Sequence, residues 1–363
     1  MSPGVGRSGQ ADRTPGREAV VGSHGGSPAR RDRRRRGPGG GDRAMVPEAE
    51  FTSYYGRPVV KPAPWENDIP AYLFSGGLAA GSSLLAAGGD LNDLPALRRT
   101  GRLAALGALG FSMAALVHDL GRPERFVNML RTMKLTSPMS VGTWILSIYG
   151  PFAGAAAVGE LAGMMPERRV RGPMKLLRGA ARPAGLVAGL TAPPVAAYTA
   201  VLLADTATPS WNAAYRELPF VFVSSALTAS GGLGMVTAPP DQASPARRMA
   251  FGGAVAELIA EQRMERSMGI TAEPLHQGRA GRFMKAAKVL TVAGAAGSLL
   301  ASRSRSLAVL SGAALMAGSA CTRFGIFEAG QASARDPKYT VVPQRERLER
   351  GEPVRYTGEG PRS

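Results

Sequence analysis

The chain is poor in the residues that hold redox metals. It has one cysteine, Cys321, among 363 residues. That excludes an internal disulfide and any iron–sulfur cluster held by its own thiolates, because such a cluster takes about four. It has three histidines. His24 falls in a low-complexity head and His276 in a charged loop, so the chain lacks the two histidines at membrane depth that a bis-histidine haem requires. No metal site and no haem or cluster of its own are expected. Aromatic residues make up 6% of the chain, and mean hydropathy is only −0.05. That average hides long stretches without charge, because polar ends dilute apolar segments built from alanine and glycine. Alanine is weakly hydrophobic, so each segment is judged by absence of charge as well as by hydropathy.

What the chain does have is glycine, 47 residues of it, and a net charge of +17. Interior glycine costs a soluble helix about 1 kcal/mol, whereas in lipid it lets helices approach closely. The positive charge alone would suit nucleic acid or an anionic membrane surface. The charge-free stretches favour the lipid bilayer, and no nucleic-acid partner is expected.

The stretch that organises the rest is WENDIPAYLFSGGLAAGSSLLAAGG, beginning at Trp65. From Ile69 to Gly89 it carries no charge over roughly 21 residues, enough for about 30 Å of helix, the thickness of a hydrocarbon core. Trp65, Tyr72 and Phe74 stand where an aromatic belt would lie. Gly77 and Gly81 make a small-xxx-small pair suited to close helix packing.

Similar stretches follow. Span two is read as Leu103–Leu120, span three as Met139–Met165 and span four as Pro183–Ala204. Span five is Leu218–Ala238, span seven about Phe283–Ser302 and span eight Ser306–Phe324. Span six, about Arg248–Ala260, is the weakest because it contains Glu257. The Pro193-Pro194 pair should break or kink span four. The fold class is therefore all-α, a polytopic integral membrane bundle of about eight helices. Residues 1–44, rich in Arg, Gly and Pro, read as a disordered extension, with Met45 as the expected start. Residues 45–68 form an extended polar lead-in, 69–327 the membrane domain and 328–363 a polar tail. Eight spans put both termini on one side. The basic loop Pro166–Arg182 and Arg303/Arg305 lie on the other, which the basic-residue rule assigns to the cytoplasm.

Ionisable residues at membrane depth are costly and mark candidate sites. Three groups converge on the termini side: Glu66-Asn67-Asp68 at the mouth of span one, His118-Asp119 at the end of span two, and Arg122, Arg125 and Arg131 after it. Histidine titrates near neutrality and pairs with aspartate in a proton relay. Such a cluster offers a quinone hydrogen-bond donors and a route for two protons. Gly121 and Pro123 also make an ordinary helix stop, in which His118 merely caps carbonyls. Both readings stay open at this point. Glu160 and Glu257 are candidates for a proton path, or else charges that snorkel to the interface. Trp144 and Tyr149 read as belt and packing residues, and Arg216-Glu217 as a surface pair.

Four stretches carry a resemblance: WENDIPAYLFSGGLAAG, VHDLGRPERFVNMLRTMKLTSPMSVGTWILS, RELPFVFVSSALTASGG and FGIFEAGQASARDPKYTVVPQRERL. Together they resemble the NrfD/polysulfide-reductase membrane-subunit family over residues from about 51 to 348. The last stretch looks like an actinobacterial branch that accompanies a formate-dehydrogenase-like molybdopterin subunit. The resemblance implies a multi-pass plasma-membrane anchor in an oxidoreductase complex, not an enzyme by itself. It would exchange electrons between menaquinone and a four-cluster ferredoxin-like iron–sulfur subunit, which serves a molybdopterin catalytic subunit. It also implies that Asn67, Asp68, Tyr72, His118 and Asp119, with Arg122 beside them, form the quinone pocket and its proton relay. Some relatives have a histidine just inside span one, where this chain has Pro70 and Ala71. The competing classes are a proton or solute transporter, with the broken span four and Glu160 and Glu257 as its path, and a purely structural anchor.

Overall fold

A computed structural model describes residues 58–119, 131, 133–167 and 171–351. Residues 1–44, Arg122 and Arg125 lie outside the described residues. Every regular element among the described residues is helical. The helices are α1 (Asp68–Leu91), α2 (Pro95–Asp119), α3 (Pro138–Met164), α4 (Pro173–Ala204) and α5 (Pro209–Ala213). They continue with α6 (Leu218–Thr237), α7 (Ser244–Met268), a 3₁₀ turn (Gly269–His276), α8 (Gly278–Leu300), α9 (Arg305–Arg335) and α10 (Lys338–Glu349).

Proline sets many of the starts. It is the first residue of α2, α3, α4 and α5 and the second of α6 and α7. There its missing N–H is one the first turn leaves unpaired anyway, and its fixed φ is helical. Eight helices are long, and they run alternately in opposite directions. One end of the bundle, called here the rim, gathers Asp68, His118, Ser210, Thr271 and Ser333. The opposite end gathers Asp90, Arg102, Glu160 and Arg305.

Seven of the eight are long and apolar enough to cross a membrane: α1, α2, α3, α4, α6, α8 and α9. The eighth, α7, is the weak span six of the sequence. Its 25 residues reach about 37 Å. Its interior carboxylates Glu257 and Glu261 are buried, while Arg248, Arg263 and Arg266 are exposed near its two ends. Large apolar side chains cover the outside of the bundle, among them Leu190 at 79% exposure and Phe220 and Leu310 at 68%. Around charge-poor helices this is the surface lipid demands and water penalises.

α1 is the most enclosed of the spanning helices. Gly77 and Gly81 face α6, where a Cβ on Gly81 would stand 2.6 Å from the Ala226 carbonyl and 2.9 Å from Ser230 Cβ. The small-xxx-small pair thus does what its spacing suggests, bringing two backbones together.

Several boundaries move. α2 begins at Pro95, not Leu103, so Arg98, Arg99 and Arg102 belong to a helix and not to a loop. α4 begins at Pro173 and runs unbroken through Pro193 and Pro194. The prolines remove two N–H donors without ending the helix, because α1 and α3 pack beside it and hold its path. α9 continues past Phe327 to Arg335, and α10 follows, so much of the polar tail is helical. The rim is also basic, with Arg263, Arg266, Arg279, Arg282 and Lys338 on it. The loop charges therefore mark one face less sharply than the loops opposite the termini suggest.

α10 is tied to the 3₁₀ turn by Lys338 Nζ, 2.6 Å from Glu273 Oε2. The hydrogen bond from Lys338 holds the Glu273 carboxyl below its ordinary range and raises the lysine. A depressed carboxyl contributes above its unfolded titration and loses that contribution as pH falls through the folded value. Lowering the pH below the usual glutamate range is expected to loosen the first turn of α10. Faster amide exchange at Tyr339–Val341 in acid, absent in Lys338→Met, is the measurement.

Candidate functional site

The rim pair arises where α1 starts and α2 ends. Asp68 opens α1 and His118 is the penultimate residue of α2, fifty positions later. Antiparallel packing of the two helices brings His118 Nδ1 to 2.6 Å from Asp68 Oδ2. The imidazole is 81% exposed and the carboxylate 40%. Glu66 and Asp119 stand close enough to add their charge to the same imidazole. With Nδ1 engaged by aspartate, Nε2 is left to take up or release a proton. His118 is therefore held by a carboxylate rather than by helix carbonyls. Asn67 is exposed at the start of α1 and makes no capping bond with its side chain. Arg131, described but exposed, does not join the pair.

Behind the pair lies a cavity of about 250 Å³ between α1, α2, α3 and α4. Tyr72, Leu109, Met113, Leu146, Tyr198 and Leu202 are among the residues lining it. Tyr72 follows Asp68 by four residues on the same helix face, about 6 Å deeper. Tyr72 and Tyr198 are 2% and 8% exposed, and among the described residues neither hydroxyl has a hydrogen-bond partner. The other hydroxyls on the wall are satisfied: Thr143 donates to Met139 O at 2.9 Å and Ser147 to Thr143 O at 2.8 Å. Two largely buried tyrosines with unpaired hydroxyls thus line a mostly apolar cavity, and such phenols can meet the polar atoms of a flat apolar guest. Sequence reasoning named Tyr72 as a candidate and did not name Tyr198, and both line the cavity. The one signal was a lone phenol in the apolar run AAYTAVLLA of α4.

Glu160 lies at the opposite end of the bundle. It is 6% exposed, so it does not snorkel. Arg102 Nη1 donates to its Oε2 at 2.8 Å and Arg98 Nε at 3.1 Å. Arg102 also pairs with Asp90 of α1. One arginine therefore staples α1, α2 and α3 in a closed network with no connection to the rim pair. Tyr149 is likewise structural: its hydroxyl meets Ser83 Oγ at 2.8 Å and donates to Ala79 O at 2.9 Å. Trp144 Nε1 is buried without a partner. Arg216 stacks on Tyr215 instead of pairing with Glu217. Glu257 is 1% exposed near the middle of α7, far from the interface to which a snorkelling carboxylate would reach.

The rim is braced from the far end of the sequence. Trp65 stacks on Trp211 at 5.8 Å between centroids, and Trp211 packs on Phe327 at 5.6 Å. Trp211 Nε1 donates to Ile326 O at 2.8 Å. Gln331 Nε2 donates to Ala63 O at 2.9 Å, holding the lead-in against α9.

Residues 59–239 match the family described as polysulphide reductase, NrfD. The match takes in α1 to α6, hence the rim pair and all four walls of the cavity. No curated protein matches the chain.

Proposed function

Because the chain belongs to the NrfD polysulphide reductase family and is a multi-pass membrane subunit of a polysulphide-reductase-like complex, we propose that the cavity behind the rim pair binds a quinone and that the chain connects it to a partner's iron–sulfur cluster. Membrane subunits of this family partner in general with iron–sulfur and molybdopterin subunits. Menaquinone is the quinone proposed, a four-cluster ferredoxin-like protein the immediate partner, a formate-dehydrogenase-like molybdopterin protein the catalytic one, and the plasma membrane the location.

The single observation that carries this reading is the pair of unpartnered tyrosine hydroxyls in an apolar cavity one helical turn from an exposed His–Asp pair. The volume of about 250 Å³ is at the small end for ligand pockets. It suits a ring system whose apolar tail stays in lipid. When bound, a quinone supplies two-electron chemistry that takes up or releases two protons. Tyr72 and Tyr198 would donate hydrogen bonds to its carbonyls and fix its orientation. His118, oriented by Asp68, would carry protons between the cavity mouth and water, and Asp119 and Glu66 would keep that mouth favourable to cations. Arg122 belongs to this proposal by its place after His118 alone. Electrons would cross to the partner's cluster by proximity, since the chain has no thiolate set to hold one.

The transporter reading loses two of its three supports and keeps Glu257, which is buried at mid-depth. α4 is continuous through its prolines, and Glu160 is locked to arginines at the other end.

In the purified complex, Tyr72→Phe is expected to weaken a quinone analogue by up to about tenfold, the worth of one neutral hydrogen bond. His118→Ala with Asp68→Asn is expected to slow quinol-linked turnover more than it weakens binding. Unchanged analogue affinity in the double variant Tyr72→Phe, Tyr198→Phe would sink the proposal.

A further inference from the structure

α7 carries Glu257, Glu261 and Glu265 at four-residue spacing, so the three carboxylates share one helix face and span about 12 Å of depth. Glu265 is at the rim, 3.7 Å from His276 Nε2 of the 3₁₀ turn. Glu261 and Glu257 are 6% and 1% exposed. One hydroxyl reaches both: Thr322 Oγ1 of α9 lies 3.0 Å from Glu257 Oε1 and 3.5 Å from Glu261 Oε1.

Beside them sits Arg323, 1% exposed. Its Nη2 donates to Phe222 O at 2.7 Å, and its guanidinium lies 3.8 Å over the Phe222 ring. Its Nε and Nη1, and Glu257 Oε2, are buried without a partner. Two donors of Arg323 and one acceptor of Glu257 are therefore buried with nothing to meet them, and Arg323 is near enough for its charge to act on Glu257; unpaired buried groups of this kind are where a bound water is expected.

The charges around this spot do not balance. Within the buried set, two carboxylates face one guanidinium, leaving one negative charge uncompensated. From α8, Lys288 acts on Glu261 but is exposed and makes no ion pair with it. From the 3₁₀ turn, His276 reaches only Glu265. α6 offers the hydroxyls of Ser225 and Thr228, and α1 offers Gly77, against which Arg323 packs; neither adds a charge. A net charge at this depth is strongly disfavoured. One bound proton restores neutrality with no other ligand.

We propose that Glu257 and Glu261 share one exchangeable proton at mid-depth, loaded from the rim through Glu265. Protonation converts one carboxylate to a carboxylic acid, with Arg323 balancing the other, and release returns the proton along the same face. Below this spot α7 presents Gly253, Ala250 and Ala246, which carry no proton-bearing group, so this face of α7 takes the route no further than mid-depth. α7 and α9 lie outside residues 59–239, and the proposal does not depend on the quinone reading.

The full chain in lipid nanodiscs is treated with dicyclohexylcarbodiimide, which attacks a protonated carboxyl group and spares a carboxylate, and labelled peptides are mapped by mass. Glu261 or Glu257 is expected to be labelled, with labelling falling about tenfold per pH unit above the group's titration. Glu265→Gln is expected to slow labelling severalfold. Infrared pH-difference spectra should show a carboxylic C=O band that Glu261→Gln removes and that His118→Ala with Asp68→Asn leaves unchanged. Absence of label at both positions, or label independent of pH, would overturn the proposal. So would protection by sodium at fixed pH, which would mark a cation site instead.

Discussion

Arg102→Met is expected to destabilise the folded chain by about 3–5 kcal/mol, the cost of stranding buried charge by removing its partner. Arg102 is 4% exposed and bridges Asp90 of α1 to Glu160 of α3, more closely than Arg98, whose Nε lies 4.0 Å from Asp90 and 3.1 Å from Glu160. Without it those two carboxylates, 5% and 6% exposed, retain only the more exposed Arg98 and Arg99. Arg102→Lys should recover part of the loss, since a point charge cannot fork to two carboxylates. Arg99→Met should matter far less, under about 1 kcal/mol, because Arg99 is half-exposed and its contact is 3.7 Å. Unfolding midpoints of the full chain in mixed micelles order these variants. A midpoint for Arg102→Met equal to that of the parent would show that the network does not hold the three helices.

Gly81→Leu is expected to cost about 1–3 kcal/mol or more, because the side chain has no low-energy place to go. A Cβ alone would stand 2.6 Å from the Ala226 carbonyl, and backbone cannot swing aside as a flexible side chain can. α1 would have to leave α6, moving Tyr72 relative to Tyr198, so quinone-analogue affinity should fall with stability. Gly88→Ala on the same helix and Gly107→Ala on α2 meet open space and should be neutral or slightly stabilising, since alanine is the better helix former. Opposite signs at Gly81 and Gly88 separate packing from propensity. Equal effects at both would remove close α1–α6 approach as an explanation.

Much of the architecture was legible because membranes impose a simple code. Absence of charge over a bilayer's thickness located the long helices, and Gly77 and Gly81 announced a packed face. The code fails where charge is buried in protein rather than exposed to lipid. Arg98 and Arg102 looked like loop residues because a sequence does not reveal that Asp90 and Glu160 will neutralise them. For the same reason α7 looked too polar to belong, although its carboxylates face inward. Its four-residue carboxylate spacing was in plain view and was passed over. Asp68 and His118 stand out as candidates because both lie at ends of charge-free runs, and the fold brings the two side chains together. Tyr198 does not, since nothing local separates a phenol facing a cavity from one packed in a core.

The hydrogen bond from Gln331 to Ala63 joins positions 268 residues apart. A nascent chain leaving the ribosome inserts its early helices long before α9 exists. Until that last long segment enters, Trp211 lacks Phe327 to pack on, and the carbonyls of Ala63 and Trp65 lack the Gln331 amide that holds the lead-in. Completion of the rim is thus expected to come late in the biogenesis of this subunit, and a chain stopped before α9 would insert its first helices yet leave that end unfinished.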